Sequence, residues 1–189
     1  AEQGLARNEI TVVVAGHGGR LSEILPWLKL GVNVLPVESA KDEAEMLEFI
    51  LLARMQTLLN QEAKTDEELE EMMLLYQFWN EKSHVFQPTS LAKVSEMGNI
   101  VVWCHPRGVY DEFGHWPLDA REFLIPLHPG GVLILQTDLR FYAEPFLAGG
   151  ELSDTTELIF STGARRDNYL LPSPHVTPDT TTIVIAKRK

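Results

Sequence analysis

The chain has 189 residues, a formal net charge of -11 and 44% hydrophobic residues, so we expect one domain with a substantial core. This acidity excludes the broad basic surface of most nucleic-acid-binding proteins. Cys104 is the only cysteine, which excludes an internal disulfide and is typical of a reducing compartment. No apolar run approaches the roughly 20 residues of a membrane helix. We therefore expect a cytoplasmic protein that acts on small molecules or proteins rather than on nucleic acid, and we expect no membrane partner. A local basic patch that contacts nucleic acid is still compatible with this net charge.

The first predicted unit begins with a strand and a glycine turn. Residues 10–15 are apolar and mostly β-branched, as expected of a strand buried on both faces. Gly16, Gly18 and Gly19 follow, and glycines let the backbone turn sharply and come close to a ligand.

A helix and a second strand complete this unit. Apolar side chains recur at helical spacing over residues 20–30, and Gly31 is placed to end the helix. A second apolar run, 32–37, leads to Glu38, whose carboxylate could accept hydrogen bonds from ribose hydroxyls. The unit favours a nucleotide-like ligand. A purely structural unit is the alternative, because the turn lacks the third glycine of the dinucleotide fingerprint.

Residues 39–83 predict an inserted pair of helices. The segment has neither proline nor glycine, its apolar residues follow a helical period, and a polar break near 61–65 ends with Thr65 as an N-cap. Eleven acidic and four basic residues give it a net charge of -7. Such acidity is most often a solvated face, and a docking surface for a basic partner is the alternative. The hairpin could also cover the ligand crevice or form a homodimer contact.

The remaining elements alternate between strands and helices. In order they are a short strand 84–87, a helix 90–97, a strand 100–104, a loop 109–117, a helix 120–127 capped by Asp119, a turn 129–131, a strand 132–135, a helix 139–150, and strands 157–162 and 180–187. The last two strands follow one another without a helix, so we expect them to be antiparallel. The pattern predicts an α/β, Rossmann-like, mostly parallel sheet with helices on both faces and a C-terminal antiparallel hairpin.

Five segments together resemble the class I S-adenosylmethionine-dependent methyltransferases. They are AGHGGRL after the first strand, Glu38 after the second, IVVWCHPRG after the fourth, HPGGVLIL before the fifth, and the closing TTTIVIAKRK. The most specific features are the turn 129–131 and the terminal hairpin. The resemblance covers nearly the whole chain apart from 39–83 and implies S-adenosylmethionine as cofactor.

The resemblance also implies roles for individual residues. Gly16, His17 and Gly18 would approach the methionine part of the cofactor, and Glu38 would hold its ribose. Gln87, Pro88 and Thr89 would contact the adenine, while Trp103, Cys104 and His105 would meet the amino group and face the substrate. The chain departs from the family pattern at Val14 and Arg20, and no acid follows the third strand. These departures favour an alternative, a methyltransferase-like domain without activity that serves as a binding or dimerisation module.

His105 is the candidate general base, because histidine titrates near neutral pH and this one follows the fourth strand. Alternatively, His105 only bonds to a loop carbonyl. Tyr110, Asp111 and His115 could contact substrate.

A metal site can be imagined from His105, His115, His128 and Cys104. Their spacing matches no compact zinc pattern, so we expect no metal. Cys104 is more ordinarily a small buried apolar residue than a nucleophile.

Overall fold

A computed structural model of the chain describes residues 5–82, 98–104, 109–111, 114–116, 119–137, 140–162 and 182–189. The strands are β1 Thr11–Ala15, β2 Asn33–Val37, β3 Gly98–Cys104, β4 Val109–Asp111, β5 Gly114–Trp116, β6 Leu127–Thr137, β7 Thr156–Ser161 and β8 Thr182–Arg188. The α-helices are α1 Leu25–Lys29, α2 Lys41–Asn60, α3 Asp66–Lys82 and α4 Arg140–Ala143.

A six-stranded sheet in the order β2-β1-β3-β6-β8-β7 organises the fold. β1 is parallel to β2 and β3, and β3 is parallel to β6. β8 is antiparallel to both β6 and β7. The predicted Rossmann-like α/β sheet with a closing antiparallel pair is therefore confirmed.

Helices cover both faces of this sheet because the central strands are apolar on both sides. Val13 and Ala15 of β1 join a core with Phe123 and Tyr142, next to the 3-10 turn Ala120–Leu124 and α4. The alternate residues Val12 and Val14 join a second core formed with α1, α2 and α3. A strand whose side chains alternate between two buried faces reads as a continuous apolar run, which is why its position was predictable.

The two helices predicted in 39–83 are α2 and α3, and the break between them falls at residues 61–65 as expected. Thr65 begins α3 with a capping box, since its Oγ1 accepts from the Glu68 N–H at 3.2 Å and Glu68 Oε2 accepts from the Thr65 N–H at 2.8 Å. Glu71 is buried, and its carboxylate lies 2.7 Å from Arg54 of α2 and 3.9 Å from Lys29 of α1. The pair with Arg54 joins the two helices of the hairpin to each other, and the pair with Lys29 joins the hairpin to α1.

The helix predicted over 20–30 is shorter than expected. The chain forms a 3-10 turn, Leu21–Glu23, and then the five-residue α1, with Pro26 in its first turn and Gly31 at φ 72° behind it. Proline has no N–H and crowds the preceding turn, so a continuous helix through residue 26 is disfavoured.

Three further segments differ from their predictions. The helix predicted over 139–150 is limited to α4, Arg140–Ala143, and a 3-10 turn, Glu144–Phe146. The loop predicted over 109–117 contains the antiparallel pair β4–β5. The helix predicted over 120–127 is the 3-10 turn Ala120–Leu124, although Asp119 caps it as expected by accepting from the Arg121 N–H at 2.9 Å. The strand 84–87 and the helix 90–97 lie outside the described residues.

The predicted turn 129–131 lies inside β6 as a bulge. Gly98 is opposite Leu127 while Ile100 is opposite Val132, so the four residues 128–131 lie opposite the single residue Asn99 of β3. A Cβ on Gly131 would lie 2.8 Å from the Asn99 carbonyl oxygen, which makes glycine necessary there. Among the helices that the structure describes, none is long and apolar enough to cross a membrane.

Candidate functional site

The glycine turn, Glu38 and Cys104 meet at the carboxyl edge of the parallel strands. Ala15, the last residue of β1, is paired with Val37 of β2 on one side and with Trp103 of β3 on the other. The residues that follow these three positions are therefore neighbours. In open α/β sheets the ligand crevice lies at this edge.

Gly16 fits tightly between the two neighbouring strands. Its N–H donates to the Val37 carbonyl oxygen at 3.1 Å, and its φ is 63°. A Cβ at this position would lie 3.0 Å from the Cys104 carbonyl oxygen. The turn therefore requires glycine both for its left-handed backbone and for its close approach to β3.

The far side of the turn packs against α2. Gly19 has φ 71°, and a Cβ there would lie 2.7 Å from Met46 Cβ and 3.0 Å from the Glu43 carbonyl oxygen. Gly18, at φ 58°, has only the Arg20 side chain near its missing Cβ, with the closest atom at 3.6 Å. The turn is thus covered by α2 at Gly19 and is less crowded at Gly18.

Glu38 connects the turn to the start of α2. Its Oε2 accepts from the Gly18 N–H at 3.1 Å, and its Oε1 accepts from the N–H groups of Ser39 at 2.9 Å and Ala40 at 3.2 Å. The side chain is buried. Glu38 follows β2 directly, as the sequence predicted, while ribose binding stays a prediction.

His17 is an internal part of the turn. It is 2% exposed, and its Nδ1 accepts from the Gly19 N–H at 3.1 Å. Burial lowers the pKa of His17 to about 4, because desolvation outweighs the nearby carboxylate of Glu43. The imidazole is therefore neutral near pH 7 and stabilises the turn from inside.

The side chain of Arg20 lies beside Gly18 of the turn. Its Nε donates to the His17 carbonyl oxygen at 3.2 Å and lies 3.9 Å from a carboxylate oxygen of Glu23. About half of its side chain is exposed. The guanidinium thus places a positive charge beside Gly18 and remains accessible to solvent.

Trp103 and Cys104 bring the end of β3 to the site. Trp103 is 6% exposed and packs on Phe123 with ring centroids 4.7 Å apart. Its buried indole Nε1 has no hydrogen-bond partner within the described part of the chain. A buried donor of this kind is costly unless a ligand or water satisfies it.

The Cys104 thiol donates to a Glu23 carboxylate oxygen at 3.4 Å. Burial, together with the negative charge of Glu23, raises the pKa of this thiol to about 12. Cys104 therefore stays a neutral thiol, as its interpretation as a small buried residue implied.

Several predicted residues lie outside the described residues, namely Gln87, Pro88, Thr89 and His105. The side chains of Tyr110, Asp111 and His115 are also not described. The remaining members of the imagined metal site are far apart, because Leu127, next to His128, is opposite Gly98 at the start of β3, whereas Cys104 ends that strand. Six residues of strand separate those positions by about 20 Å. Among the described residues no cluster of metal-ligating side chains is found.

Sequence reasoning missed two contacts of this site. Met46 covers Gly19, and Glu23 accepts from Cys104 across 81 positions of sequence. No local signal connects such residues, because both contacts depend on how helices pack against the sheet.

The fold is that of a Rossmann-like α/β protein, and its candidate site consists of the glycine turn and the Glu38 carboxylate. The chain matches no protein-family model and no curated protein sequence.

Solved structures that are similar to this chain include the following three. NSun6 from Pyrococcus horikoshii, solved with SFG, has TM-score 0.47 and 12% identity over 97% of this chain and 49% of that one. The precorrin-6y C5,15-methyltransferase from Geobacter metallireducens GS-15 has TM-score 0.39 and 11% identity over 97% and 83%. The fibrillarin pre-rRNA processing protein from Methanococcus jannaschii has TM-score 0.38 and 7% identity over 96% and 67%. This chain therefore spans about half the length of the first of them.

Proposed function

We propose that this chain binds S-adenosylmethionine at the carboxyl edge of β1, β2 and β3 and transfers its methyl group to a small-molecule or protein acceptor. The observation that carries the proposal is the 3.1 Å hydrogen bond between the Gly18 N–H and the Glu38 carboxylate. It joins the turn that approaches a ligand to the acid that can hold a ribose. The resemblance assigns the same two elements to the cofactor.

Glu38 retains the capacity to accept from a ribose hydroxyl. An ionised carboxylate has about four acceptor positions. Among the described residues, backbone N–H groups occupy two of these acceptor positions on Oε1 and one on Oε2. Oε2 can therefore accept one further hydrogen bond. The three bonds also fix the carboxylate in position before a ligand arrives, which reduces the entropy lost on binding.

The methionine part of the cofactor fits the other side of the turn. Gly18 has only the Arg20 side chain near its missing Cβ, so its backbone can approach the ligand closely. The Arg20 guanidinium beside Gly18 suits the cofactor's carboxylate, since arginine binds carboxylates through a planar fork of donors. The buried Nε1–H of Trp103 provides a further donor at the end of β3.

The cofactor, when bound, supplies a sulfonium methyl group that is open to in-line displacement. The chain's part is to align the acceptor with that methyl group and to accept the acceptor's proton. Cys104 does not suit proton removal, because a thiol with a pKa of about 12 holds its own proton. We assign the base to His105, the next residue along the chain.

Calorimetric titration with S-adenosylmethionine and S-adenosylhomocysteine tests the proposal. We expect both to bind, and Glu38→Gln to weaken both about tenfold or more, since a hydrogen bond to a charged group contributes about 1.5–3 kcal/mol. Glu45→Gln is the matched control, because that carboxylate lies on the exposed surface of α2. Absence of binding by both ligands would overturn the proposal.

A second titration tests whether Arg20 binds the carboxylate of the cofactor. Arg20→Gln should weaken S-adenosylmethionine about tenfold and leave 5′-methylthioadenosine unchanged, because the latter lacks the carboxylate. An equal loss for both ligands would mean that Arg20 acts only through the shape of the turn.

The alternative to this proposal is a methyltransferase-like binding domain without activity. In that case Glu38 only connects the turn to α2. Glu38→Gln would then lower the temperature of unfolding. Neither S-adenosylmethionine nor S-adenosylhomocysteine would give a binding signal with the unmodified chain.

A further inference from the structure

The hairpin α2–α3 exposes large apolar side chains in addition to those it buries. Leu47 and Leu51 of α2 and Leu75 of α3 are fully buried against the sheet. On other sides of the two helices, exposed apolar residues recur at helical spacing: Met46, Phe49, Leu52 and Leu59 on α2, and Leu69, Met73 and Tyr76 on α3. We call these seven residues the outer apolar set. Helices with one buried face usually have polar residues on the others, so this set indicates a contact surface.

Part of the outer apolar set forms a shallow hollow along α3. Leu69, Met73 and Tyr76 line it together with the carboxylates of Asp66 and Glu70, and its volume is about 550 Å³. Met73 is 69% exposed and Tyr76 is 59% exposed. An apolar floor between acidic side chains suits a ligand that is itself both apolar and basic.

The charge of the hairpin is strongly one-sided. Residues 39–83 carry eleven acidic and four basic side chains, a net charge of -7. Three of the four cations already have partners in the hairpin. Lys41 lies 3.6 Å from Glu45, Arg54 lies 2.7 Å from Glu71, and Lys64 donates to the Gln61 carbonyl oxygen at 2.8 Å. The surface therefore offers acidic groups and few cations to a partner.

We propose that the hairpin α2–α3 is a docking surface for a basic amphipathic helix of a partner protein. The apolar side of such a helix would cover the outer apolar set, and its lysine or arginine side chains would meet Asp66, Glu70 and the other carboxylates. Methionine and aromatic side chains adapt well to a helix laid in an apolar groove. A second copy of this chain fits less well, because it would bring two surfaces of net charge -7 together.

Fluorescence titration with two synthetic peptides tests the proposal on the full chain without any cofactor. One peptide has leucine and lysine patterned as an amphipathic helix, and the other has glutamate in place of every lysine. We expect the lysine peptide to bind at least about tenfold more tightly than the glutamate peptide, with an affinity that falls as salt is added. Equal binding of the two peptides, or no binding of either, would overturn the proposal.

Two sets of variants separate docking from general attraction between opposite charges. Phe49→Ser with Met73→Ser should weaken the lysine peptide about tenfold or more, since both side chains are 69% exposed and their loss should not disturb the core. Ile159→Ser is the matched control, because that residue is 55% exposed on β7, at the opposite edge of the sheet from β2. Circular dichroism checks that each variant is folded. Unchanged binding by the double variant would refute the assigned surface.

Sedimentation equilibrium tests whether a second copy of this chain occupies the surface instead. A dimer of the unmodified chain that dissociates in the Phe49→Ser, Met73→Ser variant would assign the surface to a second copy and overturn the proposal. These outcomes do not depend on cofactor binding, so docking and methyl transfer can fail separately.

Discussion

Replacing Gly19 by alanine measures how tightly α2 presses on the glycine turn. Gly19 and Gly31 have almost the same φ, 71° and 72°. Their surroundings differ, because a Cβ on Gly19 would lie 2.7 Å from Met46 Cβ whereas a Cβ on Gly31 would have nothing within 4 Å. Gly31→Ala is therefore a control for the backbone term alone.

The expected losses follow from that difference. An alanine in the left-handed conformation destabilises the folded state by about 1–2 kcal/mol. Alanine also lowers the conformational entropy of the unfolded chain, which stabilises the fold by about 0.4–1 kcal/mol. Gly31→Ala should therefore lower the free energy of unfolding by about 1 kcal/mol. Overpacking against α2 adds about 1–3 kcal/mol for Gly19→Ala. In a chain of this size the melting temperature should fall by roughly 3 °C for Gly31→Ala and roughly 9 °C for Gly19→Ala.

Urea unfolding of both variants, followed by circular dichroism, gives the two free energies of unfolding. A double-mutant cycle with Met46→Gly should recover at least about 1 kcal/mol in the Gly19→Ala background, because it removes the side-chain atoms nearest to the new methyl group. Equal losses for the two alanine variants, or no recovery with Met46→Gly, would refute the packing of α2 on the turn.

Three further predictions concern buried polar groups. His17 has a pKa of about 4 when folded and about 6.5 when unfolded, so the unfolded chain binds the extra proton and stability should fall between pH 6.5 and 4, by about 3 kcal/mol in all. Urea unfolding at a series of pH values should show this loss. In His17→Asn the free energy of unfolding should depend less on pH over the same range. Arg54→Leu should destabilise by about 2 kcal/mol because the buried Glu71 loses its partner at 2.7 Å, and Arg54→Leu with Glu71→Leu should recover most of that loss. Cys104, with a thiol pKa of about 12, should resist iodoacetamide at about pH 8 when folded and react once urea is added, as mass spectrometry would show. Rapid alkylation of the folded chain would contradict its burial beside Glu23.

The sequence by itself determined the parallel core and the position of the candidate site. Apolar runs at residues 10–15, 32–37 and 100–104 became β1, β2 and β3, because a strand buried on both faces must be apolar along its whole length. Glycines at 16, 18 and 19 were recognisable as a turn, and all three have left-handed φ values. Thr65 was recognisable as an N-cap, because capping depends on residues within one turn of helix.

The tertiary structure alone decided what surrounds the turn. His17 is neutral because the fold buries it, Met46 reaches Gly19 because α2 packs over the turn, and Glu23 meets Cys104 across 81 positions of sequence. The bulge in β6 could not be predicted from the sequence either, because the register of β6 is set by its pairing with β3. Local patterns specify backbone conformation over a few residues, whereas burial, pKa and close contact depend on which distant elements pack together.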